Sequence, residues 1–272
     1  MKKFSKLTAL ALAGLLVLTG CGAPKSQESE SKAIRVGLIG PNLDEWEYMK
    51  EKMAKQGIAI EIVEFTDYNQ PNEALTNKDI DLNAFQHYIF LEAYNEDRGG
   101  KLVAIGDTFI APLGVYSQKI KDVSEIKEGD AVAIPNDPTN GGRALILLQT
   151  AGLIKVDEAA GLRPTIHQIT ENPLNLKIQE LDASQTARAL PDVAVSVINN
   201  DMAVNAGMIP TQDAIFLEPV NDSSKPYINL IAAREEDKDN ETFRAIVKAY
   251  QEEDTAKVIE EVSKGSKIPA WK

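Results

Sequence analysis

From Ala33 onward, short β-branched apolar runs alternate with longer segments of helical spacing. The run "AIRVGLIG" over Ala33 to Gly40 closes on glycine and proline and reads as a buried strand. In "LDEWEYMKEKMAKQG" the apolar residues Trp46, Met49 and Met53 recur at spacings of three and four, and Gly57 supplies a helix stop. A second strand, "IAIEIVEF" over Ile58 to Phe65, completes a β-α-β unit, which favours parallel pairing.

The same rhythm continues. It predicts a short helix after Pro71, a second helix from about Gln86 to Asp97, and an extended stretch "KLVAIGDTFIAPLGVYS" interrupted at Pro112. A new cycle opens with "DAVAIP" as a strand and "TNGGRALILLQTAG" as a helix. Extended pieces follow at "TIHQIT" and "LKIQELD", then a helix at "SQTARAL", the strand "DVAVSVI" and a helix opening at "NNDMAVNAG". "YINLIAAR" is a late strand, trailed by helices at "NETFRAIVKAYQ" and "DTAKVIEEVSKG". The pattern predicts an α/β protein of two lobes, each a mostly parallel sheet flanked by helices. Residues 33–110 and 228–272 form the first lobe and 111–227 the second. Two extended hinge crossings, near residues 108–114 and 224–230, join them. A cleft between hinged lobes is a natural place for a small molecule.

The first twenty residues follow a different pattern. Lys2, Lys3 and Lys6 precede an apolar run from Leu7 to Leu18, too short for a permanent span, so residues 1–20 read as a secretory signal. Leu18-Thr19-Gly20-Cys21 resembles a lipobox, which makes Cys21, the chain's one cysteine, the expected point of lipidation. Residues 21–32 are small and polar and read as a flexible tether. The implied location is the extracytoplasmic face of the cell membrane, on the periplasmic side if the cell has two membranes. Removing the signal takes away those three lysines and no acid, moving the formal charge from −12 to −15. That acidity argues against nucleic acid as a partner.

Composition also limits the chemistry. With only His87 and His167 available, a His-rich metal site is not buildable, and no EF-hand loop appears, so no metal and no cofactor is expected. There is no Gly-x-Ser-x-Gly elbow, and an enzyme is not expected. The segment "PTNGGRALILLQT" places Arg143 in the first turn of a helix, where the macrodipole disfavours a cation unless an anion lies near. Either a ligand carboxylate or a structural acid satisfies that requirement. Tyr68, Phe85, His87 and Phe90 cluster in a chain that is only 6% aromatic, as the wall of an apolar slot or as ordinary core. Asn140, Asn199, Asn200 and Asn229 form an amide-rich group. Asn199 stands at the carboxyl end of a strand, suited to a ligand contact or to a helix N-cap.

The phrases "DYNQPNEAL", "DLNAFQHYIFLEAY", "IPNDPTNGGRALILLQTAGLI", "ENPLNLKIQELDA", "VINNDMA" and "PYINLIAAREEDKDN", in this order after a lipobox, resemble the methionine-binding lipoproteins of the NlpA/MetQ family. The resemblance covers essentially the whole mature chain. It implies a two-lobed, periplasmic-binding-protein-like fold and delivery of methionine to the permease and ATPase of an ABC importer. It further implies that Arg143 pairs with the ligand carboxylate, with Gly141 and Gly142 permitting close approach. Asn140, Asn199 and Asn229 are to supply polar contacts, and Tyr68, Phe85, His87 and Phe90 are to enclose the thioether. L-methionine, D-methionine and a methionine-containing peptide all fit this description, as does a surface lipoprotein without a transport role. One departure from the family pattern is Met202, where an aromatic residue is usual.

Overall fold

The computed structural model describes residues 33–40 and 43–271. The expected signal, Cys21 and the tether lie outside the described residues. In chain order the first part holds β1 (Ile34–Ile39), α1 (Asp44–Ala54), β2 (Ile60–Phe65), α2 (Gln70–Thr76), β3 (Leu82–His87), α3 (Tyr88–Arg98) and β4 (Leu102–Ile110). The middle part holds β5 (Gly114–Tyr116), β6 (Ala131–Pro135), α4 (Pro138–Thr150), β7 (Lys155–Val156), β8 (Ile169–Glu171), β9 (Lys177–Leu181), α5 (Ala183–Thr186), β10 (Val195–Ile198), α6 (Asn200–Asn205), α7 (Pro210–Asp213) and β11 (Phe216–Leu217). The chain closes with β12 (Ile228–Arg234), α8 (Glu241–Tyr250), α9 (Glu253–Val262) and β13 (Ile268–Pro269).

Two sheets organise these elements. The first has six strands in the order β13-β4-β12-β3-β1-β2, and the second has five in the order β11-β5-β10-β6-β9. Sheet one therefore takes strands from both ends of the chain, and sheet two takes only the middle. Two α/β lobes are present as expected, but the sheets are mixed rather than mostly parallel. β1 runs parallel to β2 and β3, whereas β12 is antiparallel to β3 and β4, and β13 to β4. In sheet two, β6 is parallel to β9 and β10, and β5 is antiparallel to β10 and β11. The cause is the double crossing. β4 leaves the first lobe and β12 returns to it beside β4, so outgoing and returning strands must lie antiparallel, with Ile228 opposite Ile110.

Two elements differ from the sequence pattern. The segment predicted to begin a helix at Gln86 is first a strand, β3, and the helix starts at Tyr88. Its period of two is hidden because both faces are buried and three of the five buried positions are polar. Asn83 and Gln86 are satisfied by each other and by Asn72, through Gln86 Nε2 to Asn72 Oδ1 at 2.6 Å and Asn83 Nδ2 to Asn72 Oδ1 at 2.9 Å. The second crossing is not extended throughout. Asp222–Tyr227 form a 3-10 helix whose Asn221 accepts from the Ser223 amide, and extension begins only at Ile228.

Packing follows the predicted helical faces. Trp46, Met49 and Met53 of α1 are buried with Val36, Phe243, Ile246 and Tyr250, and the Trp46 and Tyr250 rings lie 5.2 Å apart. This contact returns the C-terminal helices to the first lobe. In the second lobe, Ala144, Leu145, Leu147 and Leu148 of α4 cover Val132, Ile134, Val195 and Val197. A third cluster draws from both lobes: Ile39 and Phe85 from one, Tyr116, Ile198 and Met202 from the other. Met202 thus fills a place in the apolar seam between lobes. Among the described residues no helix is long and apolar enough to cross a membrane.

Candidate functional site

The strand ends of both lobes face one another across a cavity of about 360 Å³, its mouth included. Every residue singled out in the sequence lines it: Tyr68, Phe85, His87 and Phe90, then Asn140, Arg143, Asn199 and Asn229. Distant stretches of chain converge here because most of the lining residues sit at or near a strand end or a helix start. Phe85 and His87 close β3, Asn140 opens α4, Asn199 follows β10, and Asn229 in β12 lies opposite His87 across the sheet.

One wall is aromatic. Phe85 and Phe90 meet edge to face at 5.7 Å, and Tyr68 lies 5.9 Å from Phe85 and 6.1 Å from Phe90. His87 holds this group to the backbone as the N-cap of α3, its Nδ1 accepting from the Phe90 amide at 3.2 Å. That bond leaves the proton on Nε2, which donates toward Asn140 Oδ1 at 3.4 Å. Burial, reinforced by the positive charge of Arg143, pushes the His87 pKa down to about 3. A histidine whose folded pKa lies below its unfolded value of 6.5 leaves stability untouched above that value. It removes stability as pH falls from 6.5 toward about 3, because only the unfolded chain gains the proton. We expect a slope of up to about 1.4 kcal/mol per pH unit in that window from this group alone. Denaturant titrations should show a shallower acid dependence in His87→Asn, which keeps a capping acceptor but does not titrate.

The polar wall has a defined direction. The Asp137 carboxylate caps α4, accepting from the Asn140 amide at 2.9 Å, and it faces the Asn140 side-chain nitrogen at 3.0 Å. A carboxylate only accepts, so Asn140 must present Nδ2 to it and turn Oδ1 toward the cavity wall. Asn199 Nδ2 then donates to Asn140 Oδ1 at 2.7 Å. Asn199 Oδ1 is left as a buried acceptor with no partner among the described residues. Although Asn199 occupies the N-cap position of α6, its side chain makes no capping bond, so the capping alternative is not realised. Asn229 is buried, with Nδ2 3.5 Å from the Tyr227 carbonyl.

Arg143 differs from the sequence expectation in two respects. α4 begins at Pro138, so Arg143 lies in its second turn, where the macrodipole argument weakens. Its guanidinium, 3% exposed, already holds a structural acid: Nε donates to Glu218 Oε1 at 2.9 Å and Nη2 to Glu218 Oε2. Nη2 also donates to the Ala111 carbonyl at 3.0 Å, and the Tyr227 ring lies 4.3 Å away. Nη1 has no partner among the described residues and is the group left for a ligand. Glu218 in turn accepts from the Leu113 amide at 3.1 Å and donates its own amide to the Leu113 carbonyl at 2.9 Å. The ion pair is thereby fixed to the first crossing at Ala111 and Leu113, and Arg143 meets the second through the Tyr227 ring.

The glycines that precede Arg143 serve the protein's own packing. A Cβ on Gly141 would meet the Pro135 carbonyl oxygen at 2.8 Å, and one on Gly142 would meet the Arg163 Cα at 2.8 Å. Both obstacles are backbone, so their close approach is to the chain and not to an anion. Gly142→Ala is expected to destabilise by about 1–3 kcal/mol through overpacking, measured by urea unfolding. Gln86, Ala111, Asn200 and Asp201 complete the lining. Asn200 belongs to the amide-rich group, and Asp201 was adjacent to it in the quoted "VINNDMA". Glu218, seventy-five residues from Arg143, sits in an aperiodic stretch that gives no local signal. Among the described residues no group of three or more His, Cys, Asp or Glu is placed to hold a metal ion.

Two α/β lobes closing strand ends around a buried pocket, aromatic on one side and polar on the other, define a two-lobed solute-binding protein. The chain belongs to the NlpA lipoprotein family, whose model matches residues 34–271. It is 44% identical over 274 residues to the D-methionine-binding lipoprotein MetQ of Escherichia coli, covering 99% of each chain. Among solved structures it is similar to a nutrient-binding protein from Burkholderia cenocepacia bound to methionine, at 43% identity and a TM-score of 0.83, covering 88% of this chain and all of that one. It is also similar to protein PG110 from Staphylococcus aureus, at 47% identity and a TM-score of 0.85, covering 87% and 94%.

Proposed function

We propose that the protein binds methionine, as the zwitterion, in the cavity between its lobes and delivers it to the permease and ATPase of an ABC importer. It does so as a lipoprotein held by Cys21 at the extracytoplasmic face of the membrane; its role is binding and delivery, not turnover. The observation that carries this reading is the convergence of Tyr68, Phe85, His87, Phe90, Asn140, Arg143, Asn199 and Asn229 on one buried cavity. The names of the relatives supply the ligand.

In this reading Nη1 of Arg143 meets the ligand carboxylate, and Asn140, Asn199 and Asn229 complete the polar contacts. The thioether packs against Tyr68, Phe85 and Phe90, where a soft, polarizable sulfur is favoured. The lobes are residues 33–110 with 228–272, and 111–227, turning about the two crossings that Arg143 touches through Ala111 and Tyr227. A ligand favours closure only through contacts it makes better in the closed state, so residues reached from both lobes contribute most. The ion pair between Arg163 and Glu96, 2.8 Å apart across the lobes, is exposed and adds little.

Thermal unfolding tests the assignment. Methionine at a hundredfold excess over its Kd should stabilise the protein by about 2.7 kcal/mol. Titrating the L and D forms separately decides the stereochemical preference. Stabilisation by neither would favour a surface lipoprotein without a transport role.

A further inference from the structure

The charges around the cavity do not balance. Arg143 is neutralised by Glu218. His87, with its lowered pKa, brings no charge. Asp137 also has no cation partner among the described residues, but the amides that open α4 and Asn140 Nδ2 hold its carboxylate, and it does not line the cavity. The remaining charged group lies at the start of α6. Lys267, from the segment after α9, reaches in with Nζ 2.7 Å from Glu45 Oε1 of α1 and 3.4 Å from Asp201 Oδ1. It also lies 4.7 Å from the centre of the Phe109 ring. One buried cation thus serves two carboxylates, with the shorter contact to Glu45. The surplus negative charge falls to Asp201, which lines the cavity; burial raises its pKa and Lys267 only partly opposes this, as expected of a carboxylate short of a cation.

The neighbours of Asp201 have the same polarity. Asn199 Oδ1 is a buried acceptor without a partner, for the reason given above. Asn200 donates its Nδ2 to the Ser266 carbonyl at 3.0 Å, which leaves its Oδ1 also buried and unpartnered among the described residues. Three consecutive residues on the cavity lining therefore offer acceptors and one unbalanced negative charge. Buried acceptors in this condition call for a donor. A primary ammonium brings one positive charge and three N–H donors, whereas a hydroxyl brings one donor and an acylated nitrogen brings one donor and no charge.

We infer that Asp201 is a specificity-determining residue that selects the free α-ammonium of the ligand, so that the site takes free amino acids and rejects N-acylated and 2-hydroxy analogues. This rests on the reading of the cavity as a methionine site. It narrows the ligand class: a peptide in which methionine follows another residue presents an amide nitrogen at this place and is excluded.

The test is calorimetric titration of the full protein with methionine, N-acetylmethionine and 2-hydroxy-4-(methylthio)butanoate. The wild type should prefer methionine over the hydroxy analogue by about a hundredfold, in line with the strength of hydrogen bonds to charged groups in a closed site. Asp201→Asn should cut that preference about tenfold or more, chiefly by weakening methionine. A merely structural Asp201 would weaken all ligands alike and leave the preference unchanged in Asp201→Asn, which overturns the inference. Equal wild-type affinity for methionine and the hydroxy analogue overturns it without any variant. Absence of methionine binding by the wild type instead overturns the functional reading beneath it.

Discussion

Arg143→Ala is expected to weaken methionine binding by about 2–5 kcal/mol or more, enough to abolish saturation at ligand concentrations that fill the wild type. The substitution removes Nη1, the guanidinium nitrogen left without a protein partner at the cavity, and so strands the ligand carboxylate in a buried space. It also strands Glu218, whose carboxylate loses both guanidinium bonds and keeps only the Leu113 amide. Calorimetry reads the first effect and urea unfolding the second, so the two are separable. Near-native affinity in a folded Arg143→Ala protein would return Arg143 to a purely structural role as the partner of Glu218.

The second large effect is on folding. Glu218→Leu is expected to destabilise by about 3–5 kcal/mol, because it leaves a buried guanidinium with the Ala111 carbonyl as its only hydrogen-bonded partner. The guanidinium touches both crossings, donating to the Ala111 carbonyl of the first and lying against the Tyr227 ring of the second, so the loss should appear as global unfolding rather than local fraying. Replacing both members with apolar residues, Arg143→Met with Glu218→Leu, should recover most of that stability, since a buried pair is often replaceable when both charges go together. Binding should not recover. Equal stability of the Glu218→Leu protein and the wild type in urea would show that the pair contributes nothing to the fold.

The elements that the sequence revealed were those whose burial is apolar and periodic. Trp46, Met49 and Met53 repeat at helical spacing because they face the core with Tyr250, and the period survives in the letters. Strand β3 was hidden because three of its five buried positions, Asn83, Gln86 and His87, are polar and are satisfied by other amides and by a capping bond, and only Leu82 and Phe85 are apolar. Alternation of hydrophobicity cannot register a strand whose interior is polar. The mixed direction of the sheets was equally out of reach, since it depends on where β12 inserts on its return and not on any residue within β12.

The candidate site was legible for a different reason. Its residues stand at strand ends and helix starts, which short phrases such as "NDPTNGGR" and "VINND" mark out, and the family resemblance joined those phrases into one constellation. What no phrase contains is the identity of long-range partners. Glu218 meets Arg143 only because the stretch after β11 runs beside Leu113 at the end of the first crossing, and Lys267 meets Asp201 only because the tail after α9 returns to α6. The gap between them decides the electrostatics: the cation in α4 is already matched, and the unmatched charge lies at α6.

The most direct test of the account is mass spectrometry of small molecules released by denaturing the purified protein. The account predicts methionine, chemically unchanged and with a free amino group, at close to one equivalent after saturation with a mixture of amino acids. Release of a different amino acid, of a methionine peptide or its cleavage products, or of no small molecule after saturation would contradict it.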